Sequence, residues 1–438
     1  MDRPLRVAIV GSGPAGFYAA GALLSADPPV EVDMIERLPT PWGLVRLGVA
    51  PDHPKLKTVS RAFERIADQH GFRFLGNVEV GRDITPEELS SLYDAVIYAV
   101  GAQTDRRLGI PGEDLTGSWP ATEFVAWYNG HPDFQDIPFD LDVERAVVIG
   151  VGNVALDIAR MLALTREELA VTDTADAAIE AIASSSLKEI VIVGRRGPAQ
   201  AAFTTPELQE MGELAGADVF VDPADLEGAE PKDTNSERNL AVLHELAAKE
   251  PQGKARRVVF KFFESPIAIL GEDRVEGIEL VRNVLDENER AVATDVTETL
   301  ACGIVFRSVG YRGVELPGVP FDDRSGTIAN DSGRVGDGVY CAGWIKRGPT
   351  GVIGTNKKDA TETVELLLED VASGRLQPKP GATAEAVDAL LAERAARVVE
   401  YARWTAIDEA ERAAGEGSGR PRVKFCSWDD LLAAAGHL

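Results

Sequence analysis

Short apolar runs that end in glycine alternate along this chain with longer segments in which apolar and polar residues mix. The run Val7–Val10 stops at Gly11, and a continuous apolar run of this length predicts a strand buried on both faces of a parallel sheet. Residues 17–24 then have the composition of a helix, and Val30–Glu36 predicts a second strand. Together these segments predict a βαβ unit.

A second unit of the same kind begins further along the chain. Ala146–Ile149 predicts a strand, Val154–Leu164 a helix and Glu189–Val193 the next strand. Two other predicted strands, Ala95–Gly101 and Ile304–Gly310, also end in glycine, and we interpret them as the crossings between one domain and a second domain inserted into it. The predicted fold is therefore α/β, with two Rossmann-like dinucleotide-binding domains.

The crossings give the domain boundaries. Residues 1–103 and 311–438 would form the outer domain, and residues 104–310 the inserted one; a length of 438 residues suits two or three domains. Inside them, the polar residues 222–239 predict a surface excursion, and the Ala- and Glu-rich residues 383–414 predict helix. Residues 415–421 predict a loop before the final segment.

Composition restricts the location and the partners. The chain has 45% hydrophobic and 26% charged residues and no run of about 18 apolar residues, so we expect no membrane span. The first strand follows the start almost at once, which leaves no room for a targeting segment and favours the cytoplasm. The formal charge of 45 − 71 = −26 argues against nucleic acid as a partner.

The three cysteines do not form a reactive or metal-binding pattern. Cys302, Cys341 and Cys426 are far apart and form no Cys-x-x-Cys pair, so we expect neither a metal nor an iron–sulfur cluster held by this chain. We expect them to fill space as small apolar residues.

Each predicted βαβ unit carries a glycine-rich fingerprint at its first turn. In the first unit Gly11 allows the turn, Gly13 allows a diphosphate to approach the backbone, and Gly16 allows the helix to pack on the strand. Glu36 ends the second strand, 20 residues beyond Gly16, where a carboxylate can accept both hydroxyl groups of an adenosine ribose. The alternative is a tight turn without a ligand.

The second fingerprint differs from the first in the residue that comes after its second strand. Gly150, Gly152 and Ala155 take the fingerprint positions, but Arg195 and Arg196 stand where a ribose-binding carboxylate would. Two guanidinium groups suit a 2′-phosphate, so NADP is favoured over NAD here and the acidic first site is left for FAD. The alternative is a pair of ordinary surface arginines.

Three further segments are long and specific: Pro41–Pro54, with Trp-Gly-Leu-Val-Arg near its start, Gly194–Thr205, and Gly343–Asn356. They resemble the corresponding segments of one known family, the adrenodoxin-reductase type of ferredoxin–NADP reductase. The resemblance runs from residue 5 to about residue 430 and is nearest to the bacterial members. It implies that the NADP domain is inserted into the FAD domain.

The resemblance also implies roles for individual residues. For FAD it implies Ala15, Glu36, Leu44, Val80, Trp344, Gly351, Val352 and Ile353. For NADP it implies Arg106, Asn153, Val154, Ala155, Arg195, Arg196 and Glu207, with Gly351 near the nicotinamide. Trp344 could instead be a core residue.

The reaction implied is the transfer of hydride from NADPH to FAD and then of single electrons to a ferredoxin-type iron–sulfur protein. The resemblance places His53 opposite Glu210 of the other domain, and our hypothesis is that this pair sets the approach of the nicotinamide. A structural role for His53 is the alternative. Some of eight basic side chains could form a positively charged surface that attracts an acidic ferredoxin. These side chains are Lys55, Lys57, Arg61, Arg65, Lys346, Arg347, Lys357 and Lys358.

Three other functions share part of this pattern. A dithiol reductase of the thioredoxin-reductase kind needs a close cysteine pair, which the sequence lacks. A reductase subunit like that of glutamate synthase brings additional cysteine ligands, which are also absent. A flavin-binding scaffold or redox sensor without turnover remains open on the sequence alone.

Overall fold

The computed structural model describes residues 3–351 and 353–437. Its strands are β1 Leu5–Val10, β2 Val30–Glu36, β3 Phe72–Gly76, β4 Ala95–Tyr98, β5 Thr104–Asp105, β6 Ser118–Pro120, β7 Arg145–Ile149, β8 Glu189–Val193, β9 Ala217–Val221, β10 Arg256–Lys261, β11 Glu264–Leu270, β12 Gly277–Leu285, β13 Ala291–Ala301, β14 Ile304–Arg307, β15 Tyr311–Arg312, β16 Phe321–Asp322, β17 Thr327–Ile328, β18 Arg334–Gly336 and β19 Val339–Cys341.

The α-helices alternate with these strands along most of the chain. They are α1 Pro14–Leu24, α2 Leu44–Leu47, α3 Pro54–Lys57, α4 Ser60–Ala67, α5 Pro86–Leu92, α6 Ala121–Tyr128, α7 Asn153–Ala163, α8 Arg166–Leu169, α9 Asp176–Ala183, α10 Thr205–Met211, α11 Pro223–Leu226, α12 Thr234–Ala247, α13 Trp344–Arg347, α14 Ile353–Ala372, α15 Ala384–Glu393, α16 Tyr401–Glu416 and α17 Trp428–Ala434. Within the described ranges, none of them is long and apolar enough to cross a bilayer.

The chain forms two compact units. The first consists of the residues through Thr104, Tyr311–Gly417 and the chain from Phe425 onward, and the second of Asp105–Gly310 with Ser418–Lys424. The sequence assigned all of 311–438 to the outer domain, and this is wrong for Ser418–Lys424. Those residues group with the second unit because Arg420 donates to the carbonyl of Thr172 at 2.9 Å and the buried Lys424 ammonium lies 3.3 Å from Asp173.

The first unit is built on a six-stranded sheet in the order β18-β19-β4-β1-β2-β3. All neighbours are parallel except β18 and β19. Every residue of β1 is buried, as its apolar run predicted. Helix α1 packs on one face of this sheet in a core that also contains Phe17, Phe63 and Trp404. The sheet therefore holds the first fingerprint at the carboxyl end of β1.

The second unit contains a parallel sheet in the order β6-β14-β7-β8-β10-β9. The predicted strands at residues 146–149 and 189–193 are confirmed as β7 and β8. An antiparallel sheet of β11, β12 and β13, which the sequence did not predict, contributes Ile269, Ile278 and Leu280 to a core shared with β7 and β8.

Two predictions of local structure are wrong in part. Residues 222–239 are not all excursion, because α12 begins at Thr234, where Asp233 and Ser236 form a reciprocal capping box. Residues 383–414 are not one helical segment, because the helix stops at Glu393 and Val399 forms a pair of backbone hydrogen bonds with Gly76 of β3. A helical backbone at Val399 could not cover that edge of the sheet.

Candidate cofactor sites

The first fingerprint forms a turn between β1 and α1 with open space on one side. A Cβ atom on Gly16 would lie 2.1 Å from the carbonyl oxygen of Gly11, so no larger residue fits there. A Cβ atom on Gly13 would meet nothing within 4 Å, although Gly13 is the N-cap of α1. The turn therefore presents backbone N–H groups beside free space, the environment that an anionic diphosphate requires.

Glu36 is held beside this turn by three hydrogen bonds. Its carboxylate accepts the backbone N–H of Ser12 at 3.0 Å, the Ser12 hydroxyl at 2.7 Å and the N–H of Leu38 at 3.1 Å. A carboxylate has about four acceptor positions, so capacity remains for a ligand hydroxyl. The sequence missed Ser12, whose side chain fixes this carboxylate.

The segment after β2 lies against the same turn. The N–H of Trp42 donates to the carbonyl of Ser12 at 3.0 Å, and a Cβ atom on Gly43 would lie 3.0 Å from the Cα atom of Gly13. Leu44 begins α2 and is 40% exposed. Val80 packs against the core of the first unit and forms a β-bridge with Ile84.

A second segment of the first unit reaches the fingerprint helix near Ala15. Gly343 approaches so closely that a Cβ atom on it would lie 2.6 Å from the Cβ atom of Ala15. Trp344 follows at the start of α13, and its indole N–H donates to the carbonyl of Thr350 at 3.2 Å. Gly351 has a left-handed backbone and Ile353 begins α14, while Val352 lies outside the described residues.

The cations of this second segment are paired within the unit. The ammonium of Lys346 lies 3.2 Å from Asp359, and the guanidinium of Arg347 lies 3.5 Å from it. Asp359 is buried and also accepts the N–H of Gly343 at 2.5 Å. Lys346 and Arg347 therefore help to orient the Gly343 segment, but one carboxylate balances only one of their two positive charges, so their role toward a partner stays a prediction.

The second fingerprint has the same shape as the first. Gly150 has φ +131°, and a Cβ atom on it would lie 2.1 Å from the carbonyl oxygen of Ser308. A Cβ atom on Gly152 would meet nothing within 4 Å, and Ala155 is fully buried. Asn153 begins α7 and accepts the N–H of Thr204 at 2.8 Å, and Val154 follows it. This turn too leaves room for a diphosphate.

Arg195 and Arg196 follow β8, at the carboxyl edge of the sheet. Arg195 is exposed and Arg196 is half-buried. Their carbonyls accept N–H groups of Asn283 and Phe263, which fixes the backbone. Among residues 3–351 and 353–437, neither guanidinium has a hydrogen-bond or ion-pair partner, so both remain available to an anion.

Glu207 and Glu210 lie on α10 of the second unit and share one cation. The guanidinium of Arg160 lies 3.4 Å from Glu207 and 3.7 Å from Glu210. Arg160 is almost fully buried on α7. It was not identified from the sequence, although an arginine within the apolar run Ile158–Leu162 is a signal for a buried ion pair.

Arg106 lies at the start of the second unit, where its backbone N–H donates to the carbonyl of Gly310 at 2.9 Å.

His53 lies in the first unit as the residue before α3. It is 9% exposed, and its backbone N–H donates to the carbonyl of Ala50 at 3.0 Å. No disulfide joins any two of the three cysteines, all of which the structure describes, and burial raises the pKa of both the Cys302 and the Cys341 thiol to about 12. Thiols that stay protonated at neutral pH do not exchange with disulfides.

Comparison with known proteins gives matches over the whole chain. Residues 5–192 match the family model described as pyridine nucleotide-disulphide oxidoreductase. The NADPH-ferredoxin reductase FprA of Mycobacterium tuberculosis is 53% identical over 98% of this chain and 99% of its own length. The mitochondrial NADPH:adrenodoxin oxidoreductase of Arabidopsis thaliana is 41% identical over 100% of this chain and 96% of its own.

A solved structure agrees with these relatives. The structure of Mycobacterium tuberculosis FprA in complex with NADPH matches with a TM-score of 0.95 and 51% identity, over 99% of this chain and 100% of the other. The whole chain, including the inserted second unit, therefore has the fold of a two-domain α/β oxidoreductase.

Proposed function

Because this chain belongs to the adrenodoxin-reductase type of NADPH–ferredoxin reductases, we propose that its first unit holds FAD, its second unit holds NADPH, and its electron acceptor is an iron–sulfur ferredoxin. The protein is an FAD-dependent NADPH–ferredoxin reductase. The observation that carries this conclusion is similarity over the full length, at 53% identity, to a relative with that activity in its name.

The residues of the first unit fit FAD. The open side of Gly13 at the start of α1 suits a diphosphate, and the fixed carboxylate of Glu36 suits an adenosine ribose. Leu44 and Trp344 would lie along the flavin. The three cysteines are far apart in the sequence and no two of them form a disulfide among the described residues, which does not support the dithiol chemistry of related reductases.

The residues of the second unit fit NADPH. Gly152 and Asn153 would receive the diphosphate at the start of α7, and Arg195 with Arg196 would bind the 2′-phosphate. The proposed contacts of Arg106, Val154, Ala155 and Glu207 complete this site. The buried guanidinium of Arg160 lies 3.4 Å from the carboxylate of Glu207 and holds it in position.

When bound, FAD accepts two electrons from NADPH and gives them up singly to a one-electron acceptor. The proposed task of His53 and Glu210 is to set the approach of the nicotinamide and to hold a proton nearby. The burial of His53 and the ion pair between Arg160 and Glu210 support a fixed position for each side chain.

A double-mutant cycle tests the proposed pair. His53→Gln and Glu210→Gln are each expected to slow hydride transfer in stopped flow by about ten- to a hundredfold, with the double variant no slower than the worse single one. His70→Gln and Glu213→Gln are matched exposed controls. The proposed pair is contradicted if the losses of hydride-transfer rate in the two single variants add up in the double variant. It is also contradicted if His53→Gln leaves both the rate and its pH profile unchanged, since each residue would then have a separate structural role.

The identity of the electron acceptor is tested by measuring the NADPH-dependent reduction of cytochrome c, with and without added ferredoxin. The rate is expected to rise several-fold when an iron–sulfur ferredoxin is added, and to be far lower with NADH. A protein that binds FAD but shows no turnover with any ferredoxin would instead be a flavin scaffold or sensor.

A further inference from the structure

The turn that lies against the first fingerprint has a backbone that its sequence does not favour. Trp42 has φ +84° and Gly43 has φ +50°, so two successive residues are left-handed. For a bulky residue such as Trp this conformation is strained, and it persists only where the surroundings over-determine it. Something outside the turn must hold it in place.

The constraint comes from α16, far away in the sequence. The indole rings of Trp42 and Trp404 pack edge to face with their centroids 5.0 Å apart. The guanidinium of Arg46, at the other end of the turn, lies over the same Trp404 ring at 5.2 Å. Trp404 therefore contacts both ends of the segment that touches the fingerprint.

A buried ion pair completes the connection. Arg46 donates to both carboxylate oxygens of Glu411, at 2.8 and 2.5 Å, and the side chains are 3% and 0% exposed. Glu411 also accepts the N–H of Phe425 at 2.9 Å. Two parallel N–H···O bonds fix the orientation of a guanidinium, which a single contact does not.

We propose that Glu411 and Trp404 are positioning residues of the FAD site, which hold the turn Trp42–Leu47 against the diphosphate-binding loop. Loss of the pair removes the two hydrogen bonds that fix the orientation of Arg46, and the strained backbone at Trp42 then relaxes away from Ser12 and Gly13. The inference rests on the assignment of FAD to the first unit. Its readout is retention of FAD, which depends on neither NADPH oxidation nor ferredoxin.

The test measures FAD release from the holoenzyme. Glu411→Gln keeps the shape of the side chain but removes its charge, and it is expected to raise the FAD dissociation constant about tenfold or more, the scale on which residues that only orient a site affect binding. Free FAD is measured by its fluorescence after dilution. When the same samples are heated, flavin fluorescence is expected to rise at a lower temperature than the loss of far-UV circular dichroism, so that FAD leaves before the protein unfolds.

Two further variants keep the test decisive. If Glu411→Gln does not fold, the double variant Arg46→Met with Glu411→Met replaces the ion pair by apolar side chains of similar length, and it is expected to fold but to bind FAD as weakly. Asp370→Asn is the matched control, because Asp370 is a buried carboxylate of the same unit that Arg334 binds at 2.9 and 2.8 Å. The proposal is overturned if a folded Glu411 variant retains FAD like the wild type, or if Asp370→Asn loses FAD equally.

Discussion

At the scale of single residues, the two units differ most in the side chains that come after their second strand. Glu36 in the first unit is fixed by Ser12 and Leu38, whereas Arg195 and Arg196 in the second unit are held only by their backbone. Because a carboxylate repels a 2′-phosphate and a guanidinium binds it, we propose that this difference selects a different adenosine in each unit. Within the described part of the chain, the two guanidinium groups donate to no protein group.

Replacing both arginines is therefore expected to change the choice of coenzyme. In Arg195→Ala with Arg196→Ala, the loss of two charge-assisted hydrogen bonds of ~1.5–3 kcal/mol each should raise the KM for NADPH about 100- to 10,000-fold. The KM for NADH should change little, because NADH has no 2′-phosphate. Steady-state kinetics with both coenzymes measures this difference.

Arg238→Ala is a suitable control for that experiment, since Arg238 is an exposed arginine of the same unit. It should leave both KM values unchanged. Equal losses for NADPH and NADH in the double variant would mean that the arginines support the structure instead of the 2′-phosphate.

At the scale of elements, each fingerprint contains one glycine that the fold needs and one that, in our proposal, the ligand needs. Gly150→Ala places a methyl group 2.1 Å from the carbonyl of Ser308 in a left-handed backbone, so it should lower the stability by about 1–3 kcal/mol or more. Gly152→Ala meets no protein atom, so the melting temperature should stay the same while the KM for NADPH rises about tenfold or more. Thermal unfolding and kinetics on both variants separate the two effects.

The first fingerprint provides an independent repeat of this comparison, with Gly16→Ala as the folding variant and Gly13→Ala as the ligand variant. There the readout is retention of FAD. If Gly152→Ala or Gly13→Ala binds its ligand as tightly as the wild type, the open side of that glycine is not the diphosphate site.

Helix α6 begins beside a buried acid that makes stability depend on pH. Asp105 accepts the N–H of Thr122 at 2.9 Å and the hydroxyl of the same residue, yet burial raises the pKa of Asp105 from 3.8 to about 6. The folded unit thus binds a proton that the unfolded chain releases between about pH 4 and pH 6. Stability is lost as the pH rises through this window, by about 3 kcal/mol in all at about 1.4 kcal/mol per pKa unit.

Asp105→Asn removes the charge at nearly constant size. The free energy of unfolding of Asp105→Asn relative to the wild type should therefore rise by about 3 kcal/mol between pH 4 and pH 7 and stay level above. Denaturant unfolding at several pH values measures it. Asp273→Asn, an exposed control in the same unit, should show no such trend, and a flat difference for Asp105→Asn would contradict the prediction.

The elements that the sequence predicted correctly are those with an unbroken local pattern. β8 is confirmed at its predicted limits, because a strand buried on both faces needs apolar residues at nearly every position, and β2 is confirmed at its limits by the alternation of apolar and acidic residues in its first half. The end of α15 was missed because the pairing of Val399 with Gly76 is a contact between distant segments, and composition does not record such contacts. For the same reason the sequence could not foresee that Asp359 binds Lys346 and Arg347.

For the molecule as a whole, the chain passes between the two units four times. It does so after Thr104, after Gly310, and at both ends of Ser418–Lys424. The last segment is anchored in the second unit by Arg420, whose guanidinium lies 2.5 Å from Asp176. No local pattern distinguishes these seven residues from a surface loop, so the predicted boundary failed there.

The net charge of −26 would oppose the approach of an acidic ferredoxin, so our hypothesis is that a local group of cations provides attraction. In the first unit Lys55, Arg61 and Arg65 are exposed, have no partner among the described residues and lie within ten positions in the sequence of Leu56, which is 49% exposed. Lys55→Glu with Arg61→Glu is expected to raise the KM for ferredoxin about tenfold at low ionic strength and to leave the reduction of a neutral quinone unchanged.

Salt should slow ferredoxin reduction by the wild type and affect the variant much less, because screening removes only the attraction that is still present. Arg324→Glu, at an exposed position elsewhere in the same unit, reports the effect of net charge alone, and a wild-type rate that does not fall with salt would remove steering from the mechanism.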